Sequence, residues 1–466
     1  MEKTLTTLER RPIRARPLSS PGHTVNRALQ DVKSSILCTR SQLRSVLLLL
    51  ATAACADKGD RQSPEEGSPT LDAIVHDSAG IRIIESSAPV WDGDGWRVSD
   101  TPSVVIGRRE EDDRYLFGSI GGGVVLRDGR IAVLDRLAAV IRVYSPKGTH
   151  IEDWGRTGEG PGEFTAAEGL FPYRGDSLLV SGSLASRFHV FDHAGRFGRR
   201  AAPHMQLSQW YYVLDIVERG SIQFAFSCCQ FRAPLPTGAV LLSTPEMIPN
   251  TGSGMKRSSV LVALVPDTGG VADSVAVFNG GRYLPGQAPG GLPSGFHFQP
   301  SLRIATGPKG FFVTEGDSYS ISAYDASGQL RRIIRLAREP RPITEEARGA
   351  NENEIRNRIL GFGNRLEGGS PEEVIERVLS APYPTHLPTF EWLHVDPEGN
   401  VWAGRRRYGA RDDMDEFFVF AEDGRYLGIV EVPAKLSVLQ IGTDFILAQS
   451  SDDLDVQYVH LYRIGK

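Results

Sequence analysis

The chain has 466 residues, 50 of them Gly and 29 Pro, and a formal charge of −5. That length accommodates roughly two or three average domains or one large all-β domain, and the Gly and Pro content points to many turns. Residues 1–54 hold nine Lys/Arg against three acidic residues, which leaves −11 on the remainder, and an acidic body argues against nucleic acid as a partner.

Residues 1–38 are an Arg- and Pro-containing stretch without apolar periodicity, read as a disordered extension or as sequence upstream of the true start. Residues 39–55 read TRSQLRSVLLLLATAAC: two arginines, nine apolar or small residues, then a small-small-Cys end. The apolar run is too short to span a bilayer and has the length of a signal-peptide core. The segment resembles the export signal of a bacterial lipoprotein, with Thr52 where Leu is usual. That resemblance implies lipid on Cys55, a polar tether over residues 56–74, and an exported protein anchored in the bacterial cell envelope, in the periplasm or at the outer membrane. In the exported body only Cys228 and Cys229 remain; they are adjacent and make neither a disulfide framework nor a zinc site.

From residue 75 to 466 a unit recurs. VVLRDGRIAVLDRLAAVIRVYSPKG (124–148) and LFPYRGDSLLVSGSLASRFHVFDHAG (170–195) each give a strand, a Gly turn, and two alternating strands, the last ending in an aromatic residue before a polar turn. Copies follow at 302–328 and 392–424, with looser ones at 213–226 continuing at 259–270, and at 436–464. First turns then fall at Gly129, Gly175, Gly220, Gly310, Gly399 and Gly442. Repeated antiparallel meanders, each with a face it cannot bury alone, predict an all-β six-bladed β-propeller. The last copy runs out of chain, so its outer strand is expected from SVVIG (103–107) or GIRIIE (80–85).

The Gly-rich WGRTGEGPGEF (154–164) precedes a strand and lacks a Lys-Ser/Thr pair, so it reads as a blade-to-blade crossing with Phe164 plugged between blades, and not as a phosphate loop. Over about 342–381 the pattern turns helical. Ser370-Pro371-Glu372-Glu373 is a capping box, with Val374, Ile375, Val378 and Leu379 on one face, and the insertion is either a lid over one mouth or a packing element.

The sequence D-G-R-I-A-V, I-R-V-Y-S-P-K-G and G-x-G-P-G-E-F resembles the NHL-type six-bladed β-propellers, especially those carried as lipoproteins by environmental bacteria. The resemblance implies a propeller that serves as a binding scaffold for a protein, peptide or glycan, or, as the alternative, a channel-based lyase or hydrolase.

Counting back from each turn Gly along the inner strands separates an apolar set, such as Val125, Ile304 and Leu393, from a set with polar members. The second set supplies the ligand-site candidates Glu168, Asp215, Arg303, Trp392, His394 and Lys435, expected to line the central channel. No metal or cofactor is expected, because two acidic residues are too few for calcium and Arg303 and Lys435 would repel it. No catalytic residue is assigned, and a scaffold is favoured over an enzyme. The run from Arg405 to Glu416 reads as a solvated loop of mixed charge.

Overall fold

The structure, a computed structural model, describes residues 73–107, 112–182, 188–201, 230–244, 256–267, 273–283, 297–362, 370–408 and 413–466. Cys55, Asp215, Cys228, Cys229 and the expected strand at 213–226 lie outside the described residues. Thr70–Lys466 form one compact unit.

Six sheets, each built on an antiparallel meander, make a six-bladed β-propeller. Blade 1 runs from Ile120–Val125 to His150–Trp154, and blade 2 from Ala167–Tyr173 to Phe197–Ala201. Blade 3 starts at Gln230–Pro234 and ends at Asp273–Tyr283, and blade 4 starts at Arg303–Gly307 and ends at Leu330–Leu336. Blade 5 spans Trp392–Val395 to Tyr426–Pro433, and blade 6 begins at Ser437–Ile441. Local chemistry sets the turns. In blade 5 the buried Asp396 carboxylate accepts from the backbone N–H of Glu398 (3.0 Å) and Asn400 (2.9 Å) and from Trp402 Nε1 (3.1 Å), and Gly399 takes the left-handed φ of 90° that closes the turn.

Blade 3 differs from the sequence expectation. Its inner strand is Gln230–Pro234 and its first turn falls at Gly238, not Gly220, while the expected strand at 259–270 is present as Lys256–Val265. The inner edge of a propeller blade has no ladder partner, so Pro172 and Pro234 are tolerated there although proline reads as a strand breaker.

Each blade interface holds its own apolar cluster. Val124, Leu134, Leu170 and Phe191 join blades 1 and 2, and Tyr173, Leu179, Val240 and Ala263 join blades 2 and 3. Leu241, Val262, Phe311 and Val313 join blades 3 and 4, and Ile321, Ile334, Leu393 and Phe418 join blades 4 and 5. Trp402, Phe417, Ile446 and Ala448 join blades 5 and 6, and Ile131, Tyr144, Leu447 and Val459 close the ring between blades 6 and 1. Phe164 belongs to the first of these clusters, and a Cβ on Gly155 would sit 2.4 Å from its ring, so the glycine-rich crossing is built around that plug.

Ring closure uses the segment before blade 1. Val104–Ile106 pairs antiparallel with Gln457–Gly465 as the outer strand of blade 6, while Ile81–Ser86 adds parallel to the outer strand of blade 4. Between them Val90 and Trp91 donate backbone N–H groups to Tyr426 O (3.0 Å) and Leu427 O (2.8 Å) of blade 5, and Trp96 stacks on Trp402 at 5.5 Å. This single segment therefore straps the outer edges of blades 4, 5 and 6.

The helical insertion comprises α1 (Glu345–Phe362) and α2 (Pro371–Leu379), the second opened by the expected capping box, with Ser370 accepting from Glu373 N and Glu373 reaching back to Ser370 N. Ile355, Ile359, Val374, Ile375 and Val378 form the cluster between the helices. The buried His297 accepts at Nδ1 from Asn351 Nδ2 (3.0 Å), donates from Nε2 to Val378 O (3.1 Å), and stacks on Tyr383 at 3.8 Å, tying both helices to the chain that enters blade 4.

Candidate functional site

Consecutive inner strands touch all the way round the ring, blade 6 to blade 1 included. Every meander begins with its inner strand, so the starts of first and third strands and the ends of second and fourth strands collect at one end of the propeller. The helical insertion joins the fourth strand of blade 4 to the first strand of blade 5 and belongs to that same end.

Blades 4 and 5 gather charge there. Arg405, Asp415 and Glu416 are only 6 %, 5 % and 9 % exposed, so the run from Arg405 to Glu416 is not the solvated loop its composition implied, residues 409–412 lying outside the described residues. Alternating strands carry these residues inward at their ends: Arg405 pairs in register with Glu416, and Trp402 and Phe417 precede and follow them in the apolar core. Glu416 accepts from Arg405 Nε at 2.7 Å and from Arg407 Nη2 at 3.0 Å, and Arg405 also donates to the Tyr319 hydroxyl. Burial pushes the Glu416 carboxyl up, but the two guanidinium groups outweigh it and hold it below the usual range.

Glu391, immediately before the inner strand of blade 5, is the hub. Its Oε1 accepts from Arg406 N at 3.0 Å, while Arg406 Nη1 reaches Glu354 of α1 at 2.9 Å. Desolvation raises the Glu391 pKa in spite of the positive charges of Arg406, Arg303 and Arg341. Asp415 is pushed up to about 6, by burial first and by Glu391 as the like charge, and its Oδ1 is buried without a hydrogen-bond partner among the described residues.

The sign of that shift gives an expected result. An acid whose folded pKa is about 6 against 3.8 in the open chain contributes stability below pH 3.8 that is lost as pH rises through 6. Asp415→Asn should therefore raise stability by about 2–3 kcal/mol at pH 8 and change it little at pH 3.5, read by urea unfolding at both values. An equal effect at the two pH values would contradict the assignment.

The residues expected from the sequence sit as follows. Arg303 opens the inner strand of blade 4; it is solvent-exposed yet crowded enough by protein that desolvation lowers its pKa, opposed by Glu391, and it has no hydrogen bond or ion pair among the described residues. Trp392 stacks on Phe417 at 6.1 Å, and His394, on the same face, lies 6.1 Å from that ring. Desolvation pushes the His394 imidazole down to about 4, so it is neutral at pH 7. Glu168 is a bulged, exposed residue paired with Arg136 at 3.1 Å. Lys435 holds a left-handed φ of 66° in the blade 5 to blade 6 crossing.

The structure groups Arg303 with Glu391 beside the start of the blade 5 strand that bears Trp392 and His394; Glu168 belongs to blade 2 and Lys435 to the next crossing. Strand alternation divides the inner residues differently from the expectation. Val125 and Gly123 abut blade 6, whereas Val124 and Leu170, of the opposite set, are buried between blades 1 and 2. Each face of an inner strand meets a neighbouring blade, and polar groups emerge at strand ends. Glu391, Arg406 and Asp415 were missed for that reason; the signal available was charge continuing the alternation of VWAGR and MDEFFVF.

Among the described residues no group of three or more His, Cys, Asp or Glu side chains is placed to hold a metal ion, and no helix is long and apolar enough to cross a membrane. No family model matches the sequence, and no curated protein matches it. Solved structures similar to the chain include a member of the DUF4221 family from Bacteroides vulgatus, at 12% identity over 80% of this chain and 99% of that one, TM-score 0.43. Others are regucalcin, a calcium-binding protein from Agrobacterium tumefaciens (12%, 79% and 98%, TM-score 0.32), and virginiamycin B lyase from Staphylococcus aureus (8%, 80% and 100%, TM-score 0.33). At those scores the likeness carries no functional argument, and the blade count rests on the strand order of the chain itself.

Proposed function

We propose that the protein is an exported, lipid-anchored propeller of the NHL type that binds a ligand at the Arg303–Glu391 mouth and acts as a scaffold for a peptide, protein or glycan. The observation that carries this reading is Arg303, an exposed cation at the start of the blade 4 inner strand that has no hydrogen bond or ion pair among the described residues and feels the charge of Glu391 from the next blade. An unpaired guanidinium presented at that end can receive an acceptor group of a ligand. Screening the full chain against glycan and peptide arrays tests the reading: binding that Arg303→Ala abolishes supports it, and binding lost only on substitution at the opposite turns, such as Glu398→Ala, overturns it. The anchor rests on the basic, apolar and small-residue order ending at Cys55. Mass spectrometry of the membrane fraction should find a chain starting at a lipidated Cys55, and an intact chain from Met1 in the cytoplasm would contradict it.

A second reading, an acid–base lyase or hydrolase at the same mouth, is favoured by Glu391 and Asp415, two carboxyls whose raised pKa values let them hold a proton closer to neutral pH.

A further inference from the structure

We propose that the protein self-associates as a two-fold dimer through the free edge of blade 4, where strand Ala73–Ser78 pairs antiparallel with the same strand of a second copy.

Ala73–Ser78 lies outside Ile81–Ser86 and ends a six-stranded sheet, at the opposite edge from the strand that Arg303 opens. The two strands form a hairpin closed by Ala79 and Gly80, whose φ values of 51° and 80° are those of a two-residue type I′ turn. In such a hairpin the residues flanking the turn, Ser78 and Ile81, exchange both backbone hydrogen bonds, and the pattern alternates from there. Ile74, His76 and Ser78 therefore direct their N–H and C=O groups to Ile81–Ser86, while Ala73, Val75 and Asp77 turn theirs outward. Among the described residues nothing pairs with those outward groups.

The other outer edges are guarded. The outer strands of blades 1, 2 and 3 each carry a bulge, with an extra residue at Ile151, Gly198 and Val275. That of blade 5 is covered by the backbone of Val90 and Trp91, and the two strands added to blade 6, Arg97–Val98 and Val104–Ile106, are very short. Bulges, covers and short strands keep edges from pairing. Ala73–Ser78 has none of them: its register with Ile81–Ser86 runs without a shift, no Pro, Lys or Arg interrupts it, and every residue after Ala73 is exposed.

The outward groups select the occupant because they are symmetric about Val75. A two-fold axis at that residue sets Val75 opposite its counterpart in the second copy and Ala73 opposite Asp77, and each pair exchanges two hydrogen bonds. All the outward groups of the strand are then paired; within Ala73–Ser78 any other antiparallel register leaves some of them bare. The exposed Val75 and Ile74 gain cover, Ile74 from His76 of the second copy, and no like charges face each other across the ladder. The strip is small beside the roughly 800 Å² that each partner contributes to a standard interface, so the dimer forms reversibly.

Sedimentation equilibrium of the full chain in density-matched detergent tests this. The mass should be that of a monomer at about 1 µM and approach that of a dimer, and nothing larger, by about 200 µM, for a dissociation constant on the order of 10 µM. Hydrogen–deuterium exchange should slow over residues 73–78 between the same concentrations. Val75→Pro removes the outward N–H at the axis without touching the bonds to Ile81–Ser86, and should weaken association about tenfold or more. Val75→Ile should keep the dimer, and Val277→Lys, at an exposed position on the outer strand of blade 3, should leave it unchanged. A melting midpoint shared by the dilute variants excludes unfolding as the cause. Val75→Lys, which sets like charges across the axis, supplies the same readout if Val75→Pro does not fold. A chain that stays monomeric throughout, whether the edge is bare or takes a foreign strand, overturns the inference. So does a mass that climbs past the dimer, or a dimer indifferent to both Val75→Pro and Val75→Lys.

Discussion

A chain that begins at Tyr115 is expected to aggregate on heating and to lose the cooperative unfolding of the full-length protein. The truncation removes Val104–Ile106, the strand whose residues pair with Val459, His460 and Leu461 to complete blade 6. It leaves a row of backbone donors and acceptors on that edge unpaired, a template for association with another chain. It also takes Ile106, 1% exposed, out of the cluster that joins blades 6 and 1, and strips Trp96 from the face of Trp402. Two large rings and several aliphatic side chains leave their contacts at once, so the loss is on the order of 10 kcal/mol, comparable with the whole stability of an ordinary domain. Calorimetry with light scattering reads the outcome. A truncated chain that melts with the midpoint and sharpness of the full-length protein would show that the segment before blade 1 does not close the ring.

Glu416→Ala is expected to cost about 3–5 kcal/mol, the largest effect predicted for a single side chain here. The carboxylate serves Arg405 and Arg407 together, and its removal strands Arg405, 6% exposed, with only the Tyr319 hydroxyl and the ring of Phe418, 4.7 Å from its guanidinium carbon. A buried charge without a partner bears the full desolvation penalty, whereas an apolar replacement of both partners does not. Arg405→Met combined with Glu416→Leu should therefore be more stable than Glu416→Ala alone. Urea unfolding distinguishes the cases: if the single substitution costs less than about 1 kcal/mol, the pair is not desolvated in the way its burial indicates.

The blade architecture was legible because its signals are local. Gly129 and Gly399 mark turns that need a left-handed residue, Tyr144, Phe191 and Phe420 end the third strands of blades 1, 2 and 5, and Ser370 announces α2 three residues ahead of Glu373. SVVIG was readable as a closing strand because a ring of blades cannot leave its last edge open. Blade 3 was read out of register because Pro234 and Pro236 interrupt QFRAPLPTGAVLL, and proline is tolerated on an inner edge for a reason that only the closed ring supplies.

The site was less legible. Arg303, Trp392 and His394 were found by alternation, but alternation along an inner strand selects which neighbouring blade a side chain meets, as Val124 and Val125 show. Glu391 lies one residue outside its strand, and Arg406 and Asp415 are brought to it by pairing between strands that are distant in the count from any turn glycine. Burial of Arg405, Asp415 and Glu416 is a property of the packed ring, and a run of mixed charges in a sequence carries no mark of it.

The central claim is that ligand engages the end of the propeller where Arg303 and Glu391 meet. Hydrogen–deuterium exchange of the full chain, with and without saturating ligand from the array, measures this directly. The account predicts added protection at 301–305, 389–394 and 404–408 and none at the opposite turns, 126–130 and 396–400. Protection confined to those turns or to the outer strands would place the ligand elsewhere and contradict it.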